Sequence, residues 1–213
     1  LGQGEKTRED LSRYYDEIYR FDYYVGLVYD ELVDQGVADN TLIIVMADNG
    51  RPFPHSKTRV NDRGLLSPFI IHWPDGIGIK PSECASLISS IDIAPTILEL
   101  SSVAIPVTIQ GRSFAKLLKR PGRSFRRFVF AEHNWHDYEA HERMVRTKDF
   151  LYVLNSRPQF PQTGPADAIG SPAFAELDSL HRLGKISPQQ SDIFTAPRPR
   201  EELYDCSKDQ HLF

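Results

Sequence analysis

The fold is decided by residues 41–50, whose sequence is TLIIVMADNG. The stretch up to Ala47 is an unbroken run of β-branched and aliphatic side chains, which predicts a strand that is apolar on both faces. Such strands are typical of the interior of a parallel sheet that helices cover. In residues 7–36 apolar side chains recur at helical spacing, so we expect a helix with one buried stripe, an N-cap at Thr7 and a stop at Gly36. A helix followed by such a strand favours an α/β fold.

The pattern of the remaining elements changes near residue 122. Before this point we expect a second buried strand and two helices, at residues 69–73, 92–100 and 111–120. After it, short strands joined by tight connections predict an antiparallel meander, at residues 128–132, 144–147, 150–154 and 202–205. Two helical segments are expected before the last strand, at residues 172–184 and 187–194. We therefore place a subdomain boundary near residue 122.

Composition excludes several classes of protein. The chain has 213 residues, of which 40% are hydrophobic and 25% charged, as expected for a globular protein with a core. A net charge of -4 with scattered Lys and Arg argues against a nucleic-acid partner. The longest apolar run, residues 42–47, is far below the ~18 residues of a membrane span, so no span is expected. Because the chain starts at Leu1 without a leader, we expect a fragment or a processed chain.

Asp48 and Asn49 follow the first buried strand directly. In open α/β sheets ligands gather at this end of the strands. Carboxylate and amide oxygens suit Ca²⁺ or Mg²⁺, and Gly50 lets the backbone turn away sharply. Asp-Asn-Gly is also a common turn sequence, so the motif alone leaves both interpretations open.

Two cations follow in the same predicted loop, Lys57 and Arg59. A Lys near a divalent cation is well placed to hold a sulfate or phosphate oxyanion, because its ammonium neutralises the charge on the oxygens. His55 precedes Lys57 by two residues and is a further candidate for the pocket. The alternative for Lys57 and Arg59 is a solvated loop face.

In order along the chain, these residues resemble the C-terminal half of the core of the type I sulfatases, a family of the alkaline phosphatase superfamily. The resemblance is carried by the following segments: residues 32–36, 48–50, 57–58, 73–76, 91–98, 110–114, 145–147 and 202–205, with Gly64 and Pro68. It covers most of the chain except residues 156–199. More narrowly, the sequence DNGRPFP at residues 48–54 with the following Lys57 resembles the heparan N-sulfatase (N-sulfoglucosamine sulfohydrolase) branch.

The resemblance implies an architecture. Residues 1–122 would be the C-terminal portion of an alkaline-phosphatase-like α/β sandwich with a mainly parallel sheet. Residues 123–213 would form a small antiparallel-sheet subdomain with a packing helix.

The resemblance also implies a site. Asp48 and Asn49 would ligate Ca²⁺, or Mg²⁺, and Lys57 would contact the sulfate. Sulfatases attack sulfur with a formylglycine, which a formylglycine-generating enzyme makes from the Cys or Ser of a C/S-x-P/A-x-R motif. Neither Cys84 nor Cys206 fits that motif. The nucleophile is therefore expected in a missing N-terminal half, and this chain alone is predicted to be inactive.

His133 and His136 lie in the segment EHNWHD at residues 132–137. By the resemblance this segment comes near the substrate pocket, so either His, together with His55 and Arg59, is a candidate for binding the sugar or its sulfate group. The alternatives are a structural loop and a zinc site, for which two His three residues apart lack further ligands.

The function that the resemblance implies is hydrolysis of sulfate esters or sulfamates on a sulfated glycan such as heparan sulfate. One alternative is a phosphodiesterase or phosphonate monoester hydrolase of the same superfamily. The other is a catalytically inert sulfatase-like protein that binds glycans. The resemblance also implies export, to the periplasm or the medium, or transfer to a lysosome.

Overall fold

The computed structural model describes residues 4–208, which form one long helix, several short helices and two antiparallel sheets. The helices are α1 (Glu5–Asp34), α2 (Asp62–Leu65), α3 (Pro74–Ile77), α4 (Ile93–Leu100), α5 (Ala115–Lys119), α6 (Ala166–Ile169), α7 (Pro172–Arg182) and α8 (Pro188–Ser191). The strands are β1 (Ile43–Met46), β2 (Phe69–His72), β3 (Phe128–Trp135), β4 (Glu139–Thr147), β5 (Phe150–Asn155) and β6 (Glu201–Asp205). Three 3₁₀ turns lie at Ala38–Asn40, Ser90–Asp92 and Asp192–Phe194.

The first sheet consists of β1 and β2, which pair antiparallel, with Ile43 opposite His72 and Met46 opposite Phe69. The α/β class is confirmed, but the prediction of parallel neighbours is wrong for these two strands. Parallel strands need a crossover that carries the chain back to the start of the first strand. Residues 47–68 contain only the single turn of α2, so β2 starts where β1 ends.

The second sheet has the order β3-β4-β5-β6, with every neighbouring pair antiparallel. The predicted meander is therefore confirmed. Its buried face carries Met144, Leu151 and Val153, which pack together with Val60 from the β1–β2 connection. Packing thus crosses residue 122, and the division of the chain at that point stays a prediction.

Helix α1 starts with a capping carboxylate from a distant part of the chain. Its N-cap residue is Gly4, and the side chain of Glu176 in α7 accepts hydrogen bonds from the Gly4 amide at 2.9 Å and the Thr7 hydroxyl at 2.9 Å. Thr7 therefore lies inside the first turn, and its predicted role as N-cap is wrong. The predicted stop is confirmed, because α1 ends at Asp34 and Gly36 adopts a φ of 69°.

The predicted buried stripe of α1 is partly exposed. Ile18, Phe21 and Val28 are 45%, 53% and 63% exposed. Tyr14, closer to the start of the helix, does pack its ring against Phe53, with centroids 5.4 Å apart. No helix among the described residues is long and apolar enough to cross a membrane.

Candidate active site

The connection from β1 to β2 carries the candidate site and folds back tightly on itself. The Gly50 amide donates to the Gly64 carbonyl at 2.9 Å. A Cβ at Gly50 would lie 2.3 Å from the Arg63 carbonyl oxygen, so only glycine fits this crossing. The tight crossing fixes the position of the adjacent pair, Asp48 and Asn49, at the end of β1.

Asp48 and Asn49 fit part of a site for a hard cation. Asp48 is exposed at the end of the strand. The Asn49 amide nitrogen donates to the Gly50 carbonyl at 2.8 Å, which leaves the amide oxygen as an acceptor. Two adjacent oxygen donors are the ligands that Ca²⁺ prefers, but Ca²⁺ takes about six to eight. The described residues hold no cluster of three or more His, Cys, Asp or Glu side chains suited to a metal, so a Ca²⁺ site here would need ligands beyond this pair.

Lys57 lies between two residues with a left-handed backbone. His55 and Thr58 both have a φ of 68°, which is uncommon for residues other than glycine and costs on the order of 1 kcal/mol each. The turn is held by a hydrogen bond from the Lys57 amide to the Arg51 carbonyl at 3.1 Å and by contact of the Thr58 and Tyr138 hydroxyls at 2.6 Å. The backbone of Lys57 is thus held by its own loop and by the β3–β4 hairpin.

The ammonium of Lys57 forms an ion pair with a carboxylate of α6. Its Nζ lies 2.6 Å from Asp167 Oδ2, and this hydrogen bond lowers the pKa of Asp167 below its ordinary value. The Lys57 side chain is only 20% exposed. Lys57, the residue predicted to contact the sulfate, is therefore a shielded cation whose charge is balanced by Asp167.

His55 and Arg59 converge on a second carboxylate, Asp192. The His55 Nδ1 lies 2.7 Å from Asp192 Oδ1, and the Arg59 guanidinium pairs with the other oxygen. Burial lowers the pKa of His55, while Asp192 partly offsets this. Burial opposes ionisation of Asp192 too, but His55 and Arg59 together lower its pKa below the ordinary value. The loop around Lys57 is thereby tied to the turn that follows α8.

The structure separates the two His of the hairpin segment. The His136 Nδ1 lies 3.0 Å from Asp137 Oδ1, and the other oxygen of Asp137 accepts from the Ala166 amide at the start of α6. His136 thus lies beside the helix that carries Asp167. His133 points instead to the buried Glu142, with its Nδ1 3.6 Å from Oε2. Contact of either His, or of His55 and Arg59, with a substrate stays a prediction.

The carboxylates that hold these cations were not predicted from the sequence. Asp167 and Asp192 lie in residues 156–199, the part without a family resemblance, and Lys57 and Asp167 are 110 residues apart. The capping box of Ser187 and Gln190 marks the start of α8 in the sequence. No local pattern, however, indicates which distant cation a carboxylate will meet.

Two family models match the chain. The Sulfatase model matches residues 2–103, and the model described as N-sulphoglucosamine sulphohydrolase, C-terminal, matches residues 55–154. Together they cover the candidate site and most of the second sheet. The chain belongs to the sulfatase family and corresponds to a C-terminal part of it.

Among curated proteins, the chain is similar to an ulvan-active sulfatase of Formosa agariphila, with 33% identity over 98% of this chain and 35% of that protein. It is also 32% identical to the N-sulphoglucosamine sulphohydrolase of Homo sapiens, over 96% of this chain and 43% of that protein. The chain therefore spans about a third to two fifths of the length of these relatives.

A solved structure gives the same fold. It is that of a protein in complex with its substrate, D-glucosamine-2-N,6-O-disulfate, and it superimposes with a TM-score of 0.58. The match covers 91% of this chain and 33% of that one at 20% identity. At this identity the likeness supports the fold and not the substrate.

Proposed function

We propose that the chain forms the C-terminal part of a sulfatase that hydrolyses sulfate esters or sulfamates of a sulfated glycan. The observation that carries this proposal is the placement of Lys57. In a chain of the sulfatase family, a shielded lysine lies on a tightly folded loop that also presents Asp48 and Asn49. This arrangement offers one cation to an oxyanion and two oxygens to a metal ion.

Lys57 would balance the charge of the sulfate group. An incoming sulfate takes the place of Asp167 beside the ammonium, and the loop limits the movement this needs because it holds the backbone of Lys57 in position. Asp48 and Asn49 would hold one side of a Ca²⁺ ion. The ion would polarise a sulfate oxygen, and a formylglycine would provide the nucleophile.

The finer substrate is proposed to be N-sulfoglucosamine at the end of a heparan chain. The match of residues 55–154 to the N-sulphoglucosamine sulphohydrolase model supports it, because that stretch includes Lys57 and both His of the hairpin segment. Export or a lysosomal location, and maturation by a formylglycine-generating enzyme, stay predictions.

The test uses the complete protein produced with a formylglycine-generating enzyme. Release of sulfate from N-sulfoglucosamine and from an aryl sulfate is measured with and without Ca²⁺. Asp48→Ala and Lys57→Ala should each lower kcat by about 10²–10³-fold, the usual cost of losing one group that stabilises charge in the transition state. The matched control is Lys80→Ala, an exposed lysine outside the site, which should leave the rates unchanged.

Two results would contradict the proposal. Hydrolysis of phosphonate monoesters or phosphodiesters without sulfate release would favour a phosphoryl hydrolase of the same superfamily. Binding of sulfated glycan without any turnover, in a protein that lacks the formylglycine motif, would favour an inert binder.

A further inference from the structure

The connection between β3 and β4 contacts both halves of the Lys57 ion pair. The side chain of Asp137 accepts a hydrogen bond from the Ala166 amide at the start of α6, the helix whose carboxylate pairs with Lys57. The hydroxyl of the next residue, Tyr138, lies 2.6 Å from the Thr58 hydroxyl in the Lys57 loop. One turn of the hairpin thus holds the lysine loop and also the helix that opposes it.

The hydrogen bonds at Tyr138 run in one direction, towards the backbone of Lys57. The Thr58 hydroxyl has a single proton and donates it to the Lys57 carbonyl at 2.6 Å. It can therefore only accept from Tyr138, whose hydroxyl is the donor of this contact. Burial raises the pKa of Tyr138, so the hydroxyl keeps the proton that it donates. Two hydrogen bonds in series thus join Tyr138 to the residue that carries the ammonium.

Thr58, the residue between them, has a strained backbone. Its φ of 68° lies in the left-handed region, which a β-branched side chain such as that of threonine rarely adopts. Strain of this kind persists where surrounding contacts hold the residue in place, and it is concentrated at functional sites. The Tyr138 hydroxyl is such a contact and comes from outside the loop. Without it, the backbone next to Lys57 would be freer to relax.

Tyr138 is itself supported by the second sheet. Its ring packs at 82° against the ring of His133 in β3, with centroids 5.4 Å apart. The His133 side chain is only 10% exposed and lies beside the buried Glu142 of β4. The register of β3 against β4 shifts between His133 and Trp135, an irregularity that is common next to active sites. The Lys57 loop is therefore braced by a regular element of the fold.

We propose that Tyr138 is a positioning residue of the sulfatase site, which holds the backbone of Lys57 where its ammonium meets the sulfate. The inference rests on the proposed function, since that function assigns the sulfate contact to Lys57. Tyr138 acts through Thr58 and does not touch the substrate. A small displacement of a group that stabilises charge costs much of the rate, so loss of the Tyr138 hydroxyl slows turnover.

Tyr138→Phe in the complete protein with its formylglycine is the first test. It removes the donor and keeps the ring that packs on His133. It should lower kcat about tenfold, the equivalent of one hydrogen bond. The matched control is Tyr152→Phe in β5, a half-buried tyrosine between the core residues Leu151 and Val153, whose side chains lie on the other face of the sheet. No loss in Tyr138→Phe, or an equal loss in the control, would overturn the proposal.

A double-mutant cycle tests whether Tyr138 acts through Thr58. Thr58→Gly removes the accepting hydroxyl in a residue that adopts a φ of 68° without strain, so the loop can still fold. It should lower kcat about tenfold, and addition of Tyr138→Phe should lower it no further. Thr58→Ser, which keeps the hydroxyl, should recover most of the lost rate. A hundredfold loss in the double variant would show that Tyr138 acts independently, and would overturn the proposal.

Failure of the proposed function is recognised separately, because the parent would then release sulfate from neither N-sulfoglucosamine nor an aryl sulfate. In that case the position of Lys57, whose side chain is 20% exposed, is measured by acetic anhydride labelling and mass spectrometry. Tyr138→Phe and Thr58→Gly should each label Lys57 about tenfold faster, since loss of one hydrogen bond favours opening of the loop by that factor. The exposed Lys80 is the internal control. Unchanged labelling of Lys57 would overturn the role of Tyr138.

Discussion

Asp92 is a single residue on which the middle of the chain depends. It is fully buried, and it accepts hydrogen bonds from the amides of Ser89 at 2.9 Å and Arg112 at 2.8 Å. The Arg126 guanidinium binds the same carboxylate, with Nε at 2.6 Å. One side chain thus joins the start of α4, the approach to α5 and the approach to β3.

We expect Asp92→Ala to lower the free energy of unfolding by about 3–5 kcal/mol, because Arg126 would be left without its partner in a largely buried position. Urea denaturation of the complete protein at pH 7 measures this. Glu9→Ala, which breaks the exposed ion pair with Arg13, is the control and should cost less than about 1 kcal/mol.

At acid pH the parent protein and Asp92→Ala should differ less in their free energy of unfolding than they do at pH 7. Burial raises the pKa of Asp92, but Arg126 and the two amides outweigh it, so the folded-state pKa lies below the ordinary value. The Asp92 carboxylate then makes its full contribution to the free energy of unfolding above its pKa in the unfolded chain, about 4. That contribution is lost as the pH falls through its pKa in the folded protein. A difference that stays constant from pH 7 to pH 2 would contradict this account.

Lys57 illustrates how far single residues could be predicted. The sequence singles it out because it follows Asp-Asn-Gly at short range and matches a family pattern. Its partner Asp167 could not be predicted, since their ion pair depends on how the hairpin and α6 approach the loop. A candidate site residue can be recognised from its neighbours along the chain. An ion pair between residues 110 positions apart depends on the fold and cannot.

At the scale of elements, the periodicity of apolar residues predicts where a strand or helix lies better than it predicts its length. β5 was expected at residues 150–154 and spans Phe150–Asn155, because alternating burial is strong there. β4 was expected at 144–147 and starts earlier, at Glu139, where the pairing with β3 continues past the apolar residues. The 111–120 helix is reduced to Ala115–Lys119. Hydrogen bonding between strands extends elements beyond what side-chain patterns indicate.

The contact between α7 and α1 gives a prediction at this scale. Glu176→Ala should lower the free energy of unfolding by about 1–2 kcal/mol, since it removes a charged cap from the positive end of α1. Hydrogen exchange should also speed up at the amides of Lys6 and Thr7. Glu17→Ala, on the exposed surface of the same helix, is the control.

Equal hydrogen exchange at the first turn of α1 in Glu176→Ala and in the control would show that the cap contributes nothing.

At the scale of the whole molecule, apolar surface is left open on several elements, of which α1 and β2 belong to the first half of the chain. The stripe of Ile18, Phe21 and Val28 on α1 is exposed, as is Ile70 on β2 at 60%. Exposed apolar residues on a helix face and a sheet mark a surface that packs against other protein. Within the sulfatase family, the remaining part of the core is the candidate to cover it.

We expect the isolated chain to self-associate and to bind a hydrophobic dye, and the complete protein to do neither. Sedimentation and dye fluorescence measure both properties. Replacement of Phe21 and Val28 by Ser should reduce association of the isolated chain, because it removes part of the exposed stripe. If the isolated chain is monomeric and binds no dye, the exposed apolar residues do not form a surface that packs against other protein.

The cap of α1 also bears on how the protein is made. The capping oxygens of Glu176 come 172 residues after Gly4. At about 5–20 residues per second, a ribosome needs on the order of ten seconds or more to synthesise that length. For this time α1 exists without its cap, with its first turn frayed and its apolar stripe open. The beginning of the helix is thus completed only after Glu176 has left the ribosome, and chaperones have that interval in which to bind it.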